Sequence, residues 1–124
     1  MMSEFCIKNG SLTRYRGNDK HVIIPDSVTA ISTYAFYGRT SLKQVVLPYS
    51  VTRIGKEAFK FCESLKNITI PGSVSDIGDQ AFYSCSSIKQ ITIPDSVIRI
   101  GKGAFQNCSS LERIFISNSV TQIG

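Results

Sequence analysis

Leu65-Lys66-Asn67-Ile68-Thr69-Ile70-Pro71-Gly72-Ser73-Val74-Ser75-Asp76-Ile77-Gly78-Asp79-Gln80-Ala81-Phe82-Tyr83-Ser84-Cys85 is the stretch that decides the fold. Leu65, Ile68 and Ile70 end in the two-residue period of a strand. Pro71 lacks an amide hydrogen and stops the strand's ladder there. Pro71-Gly72-Ser73 turns the chain, and Val74-Ser75-Asp76-Ile77 is a short extended or turn-like piece. Gly78 permits a backbone bend that a side chain would oppose. Asp79 to Cys85 is long enough for one or two helical turns, with Ala81, Phe82 and Cys85 directed inward. Each unit is thus expected to hold a strand, a bend and a short helix.

The same unit recurs on both sides of this stretch. Pro25, Pro48, Pro71 and Pro94 are the only prolines, and they stand 23 residues apart. Ala35-Phe36, Ala58-Phe59, Ala81-Phe82 and Ala104-Phe105 keep that spacing, as do Gly55, Gly78, Gly101 and Gly124. Cys62, Cys85 and Cys108 form another column, and Val28, Val51, Val74, Val97 and Val120 a further one. A unit this small cannot bury its own apolar face, so copies must stack as successive coils of a solenoid. The strands then lie side by side as a parallel sheet, about 4.8 Å apart.

The pattern Leu-x-x-Ile-x-Ile-Pro-x-x-Val-x-x-Ile-Gly-x-x-Ala-Phe-x-x-Cys resembles the BspA-like class of leucine-rich repeats. It is followed closely at Leu42–Cys62, Leu65–Cys85 and Ile88–Cys108. The resemblance implies an α/β fold: a right-handed leucine-rich-repeat solenoid with its parallel sheet on the concave side and short helices on the other. It also implies a cell-surface or secreted setting, since proteins of this class are commonly bacterial or protist surface proteins and some are implicated in adhesion. The first coil departs from the pattern, with Ser32 in the glycine column and Arg39 in the cysteine column. Before His21, Phe5-Cys6-Ile7 and Leu12-Thr13-Arg14-Tyr15 read as a hairpin around Asn9-Gly10. Residues 1–20 are therefore expected to cap the N-terminal end of one leucine-rich repeat domain, with about four and a half repeats in 21–124. No equivalent cap is visible at Ile123-Gly124, which points to a fragment of a longer array or to self-association through that coil.

Composition narrows the function. The chain has 124 residues, 42% hydrophobic and 19% charged, in keeping with a folded domain. The start, Met1-Met2-Ser3-Glu4-Phe5, lacks the basic and apolar segments of a signal peptide. The net charge of +5 is spread along the chain, with no basic run of the kind that makes a nucleic-acid arm, so no specific nucleic acid is expected. Phosphate loops, zinc spacings and paired-carboxylate motifs are missing from the sequence, and no cofactor is expected. His21 is the only histidine and belongs to the strand side, while the cysteines belong to the opposite side, which argues against a nucleophile–base pair and against an enzyme. The three repeated cysteines occupy a small apolar position and are expected to be buried thiols, with Cys6 also free. Ser27, Ser50, Ser73, Ser96 and Ser119 are expected to satisfy backbone groups in the turn after each strand. Asn67-Ile68-Thr69 and Asn107-Cys108-Ser109 match the glycosylation sequon, which matters only for a secreted eukaryotic protein.

What remains is contact chemistry. The residues expected to face outward from the strands are His21, Gln44, Asn67, Gln90 and Arg113, and then Ile23, Val46, Thr69, Thr92 and Phe115. Tyr49 extends that surface. Ile23, Val46 and Phe115 are unusual for simple solvation, and clustered exposed apolar groups mark interaction sites, although sheet propensity also favours such residues. A further column, Lys20, Lys43, Lys66 and Lys89, ends in Glu112; it reads either as a solvated edge or as a site for an anionic polymer such as a glycan or for an acidic partner. The expected function is recognition of a protein, such as a host matrix or cell-surface protein, or of a glycan. The alternative is a structural spacer within a larger surface protein.

Overall fold

A computed structural model describes residues 4–116, 120 and 122–124. The chain begins with a hairpin, β1 (Phe5–Lys8) and β2 (Ser11–Tyr15), paired antiparallel. Asn9 and Gly10 take the left-handed conformation at its turn, with φ of 51° and 81°. Each coil that follows contributes two short strands. They are β3 (His21–Ile23) and β4 (Ala30–Ile31), β5 (Gln44–Val46) and β6 (Arg53–Ile54), β7 (Asn67–Ile68) and β8 (Asp76–Ile77). The last coils supply β9 (Gln90–Ile93) and β10 (Arg99–Ile100), β11 (Arg113–Ile116) and β12 (Gln122–Ile123).

The odd-numbered strands from β3 to β11 form a front sheet and the even-numbered ones a back sheet. Coil-to-coil pairing is parallel, and partners lie one repeat apart: Val22 opposite Val45, Ile54 opposite Ile77, Ile91 opposite Ile114. The back sheet runs unbroken in the order β1-β2-β4-β6-β8-β10-β12. The front sheet divides into β3-β5-β7 and β9-β11, with no pairing between β7 and β9. The hairpin joins the back sheet, where Leu12 pairs with Ile31 and so continues the column of buried residues that Ile54 and Ile77 occupy.

The expected helices are not present among the described residues; the Ala-Phe segments are chains of tight turns. The cause is a pair of left-handed columns. Tyr34, Glu57, Gln80 and Gly103 have φ of 64°, 54°, 53° and 64°, and Gly38, Phe61, Ser84 and Asn107 have 69°, 63°, 58° and 60°. A residue in that conformation cannot continue a right-handed helix. Amides then alternate in use. Ala81 and Tyr83 donate three residues back, to Gly78 and Gln80, while Gln80, Phe82 and Ser84 donate to Lys102, Ala104 and Gln106 of the next coil. The segment read as helical therefore knits neighbouring coils together, as the sheets do.

The core runs the length of the stack. Val28, Val51, Val74 and Val97 are fully buried, as are Ala58, Phe59, Ala81 and Phe82. Tyr15, Phe36, Phe59, Phe82 and Phe105 stack in sequence, with ring centroids 4.9–5.4 Å apart. Phe5 adds its ring at 5.3 Å from Tyr15, so the hairpin covers the first coil with aromatic surface.

The glycine column has a reason other than bending. Gly55 and Gly78 do not take the left-handed conformation. A Cβ on Gly78 would lie 2.7 Å from the carbonyl carbon of Gly55 and from the nitrogen of Lys56. On Gly55 it would lie 2.8 Å from the carbonyl oxygen of Ile31. Glycine is needed because each coil's backbone presses on the one before it. Ser32, at the same position in the first coil, follows only the hairpin, to whose Leu12 carbonyl its amide is bonded at 2.9 Å.

Candidate interaction face

Alternation along the front strands sets the face. Val22 and Ile24, Val45 and Leu47, Ile91 and Ile93 point into the core and are buried. Their neighbours point out: His21, Asn67, Gln90 and Arg113 are exposed, Gln44 is half-buried, and Ile23, Val46, Thr69, Thr92 and Phe115 are exposed. Register then places like positions side by side, so that His21 adjoins Gln44 and Gln44 adjoins Asn67, while Gln90 adjoins Arg113. The imidazole Nδ1 of His21 lies 3.2 Å from Oε1 of Gln44, a link that orients both side chains along the strand starts.

The outward apolar groups fall into two patches. Ile23 is 74% exposed, and its strand neighbour Val46 is 45% exposed. Tyr49, 79% exposed, stands beyond Pro48 at the mouth of a hollow of about 230 Å³ that Val46, Asn67 and Thr69 also line. Phe115 belongs to the other part of the divided sheet, opposite Thr92, and is 50% exposed. Thr69 and Thr92 separate the two patches, so the structure joins Ile23, Val46 and Tyr49 and leaves Phe115 apart.

A polar groove of about 880 Å³ opens where the front sheet divides. Its walls carry Lys66, Asn67 and Thr69 from one coil and Ser87, Lys89, Gln90 and Thr92 from the next. In the neighbouring steps the amide of Lys43 bonds the carbonyl of Lys20, that of Lys66 bonds Lys43, and that of Glu112 bonds Lys89. The corresponding bond from Lys89 to Lys66 is missing among the described residues.

The side of the coil carrying the cysteines is chemically quiet. Cys62, Cys85 and Cys108 donate their thiols to the carbonyls of Phe36, Phe59 and Phe82, each at 3.1 Å and each in the preceding coil. All three are buried and free, and Cys6 is a half-buried free thiol. Burial pushes the Cys62 thiol up to about 12 and raises Cys85 and Cys108 as well, so the nucleophilic thiolate is suppressed at neutral pH. The serine column also works structurally: Ser50 and Ser73 donate to the carbonyls of Val28 and Val51 in the coil before, at 2.6 and 2.5 Å. Ser96 breaks the series, since its buried Oγ has no partner. Ser119 lies outside the described residues.

Two clusters escaped the reading of the sequence. Tyr34, Tyr37, Phe61 and Tyr83 meet edge to face along the turn side, with the Lys60 ammonium 4.7 Å from the Tyr83 ring and 5.3 Å from that of Phe61. Their signal was present in three repeat columns, 34/57/80, 37/60/83 and 38/61/84, whose residue types vary. Beside the back sheet, Arg99 bonds Asp76 at 3.0 Å and Asp79 at 3.4 Å. Asp76 and Arg99 are register partners one repeat apart.

The family follows from the repeat in register and in sequence. The profile of the BspA type leucine rich repeat region matches residues 8–124 in six copies. The chain belongs to the BspA-type leucine-rich repeat family. The match begins within the hairpin, in agreement with the pairing of Leu12 in the repeat column. Among solved structures, a leucine rich repeat protein of T. pallidum is 39% identical to this BspA-type chain with a TM-score of 0.90, over 92% of this chain and 56% of that one. A leucine rich cell surface protein of Faecalibacterium prausnitzii is 32% identical with a TM-score of 0.78, over 91% and 40%. A leucine-rich repeat protein of Bacteroides capillosus is 26% identical with a TM-score of 0.78, over 94% and 100%. The chain thus spans about half the length of the treponemal protein and less of the Faecalibacterium one. The curated proteins contain no significant match.

Proposed function

We propose that this chain is a recognition module that binds a protein partner on the outward face of its front sheet, as part of a bacterial cell-surface or adhesion-type protein. The observation that carries this reading is the exposure of Ile23, Val46 and Tyr49 as one patch on the part of the front sheet, β3-β5-β7, whose other outward groups are polar. Exposed aromatic and aliphatic groups ringed by polar ones are the usual make-up of a binding surface. The solenoid holds them on a rigid backbone, so little order is lost on docking. His21, Gln44 and Asn67 supply hydrogen bonds beside the apolar anchors, and Gln90, Thr92, Arg113 and Phe115 extend the face into the second part of the sheet. The cell-surface setting draws support from the Faecalibacterium relative, which is a cell surface protein.

The test is binding to a panel of purified matrix and cell-surface proteins, measured by biolayer interferometry. Ile23→Glu with Val46→Glu should abolish any binding found, while Arg53→Glu on the back sheet should leave it unchanged. Equal binding by all three proteins removes the front face from the role and favours a structural spacer.

A second contact is favoured by Ile114, Ile116 and Ile123, which are 38%, 42% and 62% exposed. With Phe105 and Ala104 they line an apolar hollow of about 380 Å³ over the last coil. This surface fits the apolar coil edge of a second copy of the chain. Sedimentation velocity checks it: Ile116→Lys should convert a dimer to a monomer, and a wild-type protein that is monomeric at high concentration ends the idea.

A further inference from the structure

The division of the front sheet leaves two strand edges facing each other unpaired. Elsewhere in that sheet the repeat fixes which backbone groups meet. The amides of Gln44, Asn67 and Arg113 bond the carbonyls of Lys20, Lys43 and Lys89 in the coil before, and the amide of Ile24 bonds the carbonyl of Val46 in the coil after. At the division the same positions are held by Gln90 and Lys66, and by Ile70 and Thr92. Neither of these bonds is made among the described residues. The strands have parted: most Cα atoms of β7 lie more than 8 Å from those of β9, where paired strands stand about 4.8 Å apart. The core column shows the same opening. Val22, Val45 and Ile91 are at most 4% exposed, whereas Ile68 between them is half-buried and lines the groove.

We propose that this groove takes an extended peptide of a partner protein, added as a strand between β7 and β9. The backbone selects the class. A strand edge offers amides and carbonyls in alternation, and another peptide backbone complements them, so open edges act as templates for a further strand. A strand placed midway needs about 9.6 Å between its neighbours, twice the sheet spacing, and β7 and β9 have opened toward that separation. The rest of the coil stays closed: Ile77 pairs with Ile100 in the back sheet, and Gln80 bonds Lys102 in the turn ladder. The front therefore opens as a wedge and the stack is not cut. Side chains set the preferred sequence. Alternation turns one peptide residue inward onto Ile68, which favours an aliphatic side chain, and sets its neighbours beside Asn67, Thr69, Gln90 and Thr92, which favours polar ones. The repeat's own strand, Gln90-Ile91-Thr92, has that pattern. The groove is separate from the patch of Ile23, Val46 and Tyr49 and does not depend on it.

The probe is the synthetic peptide acetyl-Ile-Lys-Gln-Ile-Thr-Ile-Pro-amide, which has the sequence of residues 88–94, and the readout is amide hydrogen exchange followed by NMR. Saturating peptide should slow exchange at Gln90 and Ile70 by about tenfold or more, and change it less than about twofold at Gln44 and Ile24, which are already bonded. Methylating the two central amides of the peptide should weaken binding by about tenfold or more, because their hydrogen bonds are lost. Gln90→Pro removes a donor that faces the groove and should weaken binding about fivefold. Ile23→Glu with Val46→Glu should leave it unaltered, which separates this site from the protein-binding patch. Absence of binding, binding that leaves Gln90 and Ile70 exchanging as before, or equal binding by the methylated peptide overturns the proposal. Protection of the same amides on raising the protein concentration alone gives the groove to a second copy of the chain and overturns the choice of partner.

Discussion

The front and back of the same coil are held to different standards. In the back sheet seven strands pair without interruption, glycines let backbones approach, and the charges of Arg99, Asp76 and Asp79 are matched. The front sheet is divided, its outward residues change from coil to coil, and its lysines are unmatched. Both are made from the same 23-residue unit. Coil spacing is therefore fixed from behind, by the back sheet and the turn ladder. The front can lose the pairing of β7 with β9 while Ile88 and Ile91 beneath it stay buried. Variation in sequence is tolerated where the backbone does not set the pitch.

Alkali should separate the two sides most strongly, because the buried thiols are all behind the front sheet. Their folded-state ionisation is pushed upward, to about 12 for Cys62, whereas an unfolded cysteine ionises near 9. The unfolded chain then releases protons first as pH rises. Stability owes nothing to this effect below pH 9 and falls as pH climbs from 9 towards 12, by about 1.4 kcal/mol per pH unit for each thiol that stays protonated in the fold. Urea unfolding at a series of pH values measures the slope, and Cys85→Ala should make it shallower. A stability that is flat to pH 11 would mean that the thiols are not sealed.

Next in size is a matched pair of truncations. Ile54 is fully buried in the back sheet, and Ile54→Ala should cost about 3 kcal/mol in urea unfolding. Val46→Ala, on the outward front face, should cost less than about 1 kcal/mol. The glycine comparison is similar. Gly78→Ala sets a methyl against backbone atoms of Gly55 and Lys56 and should cost about 2–3 kcal/mol. Gly72→Ala, after the front strand, meets nothing within 4 Å and should be neutral or stabilising by about 0.5 kcal/mol. Equal costs at the two glycines would remove the claim that the back sets the pitch.

These pairs also mark what the sequence makes legible. Register was readable because proline, alanine–phenylalanine and glycine columns repeat together, and the hairpin because Asn9-Gly10 is a strong turn signal. The second sheet was harder to see. Asp76-Ile77 and its copies are two-residue strands, too short to show a period of two. The turn chains behind Ala81-Phe82 look helical in sequence because an inward pattern of Ala81, Phe82 and Cys85 fits both. The deciding fact, left-handed φ at Gln80 and Ser84, is announced by glycine only in other coils, at Gly103 and Gly38 of the same two columns. The outward positions of the front strands could be read from alternation alone. The separation of Phe115 from Ile23 and Val46 could not, because it depends on where the sheet divides.

Those left-handed positions give the smallest effect and the finest test of the turn chains. Ser84 holds φ at 58° with a side chain that makes no hydrogen bond among the described residues. Its backbone does the joining, with the amide bonded to Gln106 at 2.9 Å in the next coil. A side chain in that conformation crowds its own backbone, a strain that glycine does not feel, although glycine loses more freedom on folding. The first effect is the larger, so Ser84→Gly should stabilise the protein by about 0.5 kcal/mol. Gly38 already occupies the same column at φ 69° in the first described coil, which shows that the turn accepts glycine. The same change at Ser75, which donates its hydroxyl to Thr52 and lies beside the back sheet, should destabilise by about 1 kcal/mol. Opposite signs at two serines nine residues apart in one coil would follow from backbone conformation, and matching signs would not.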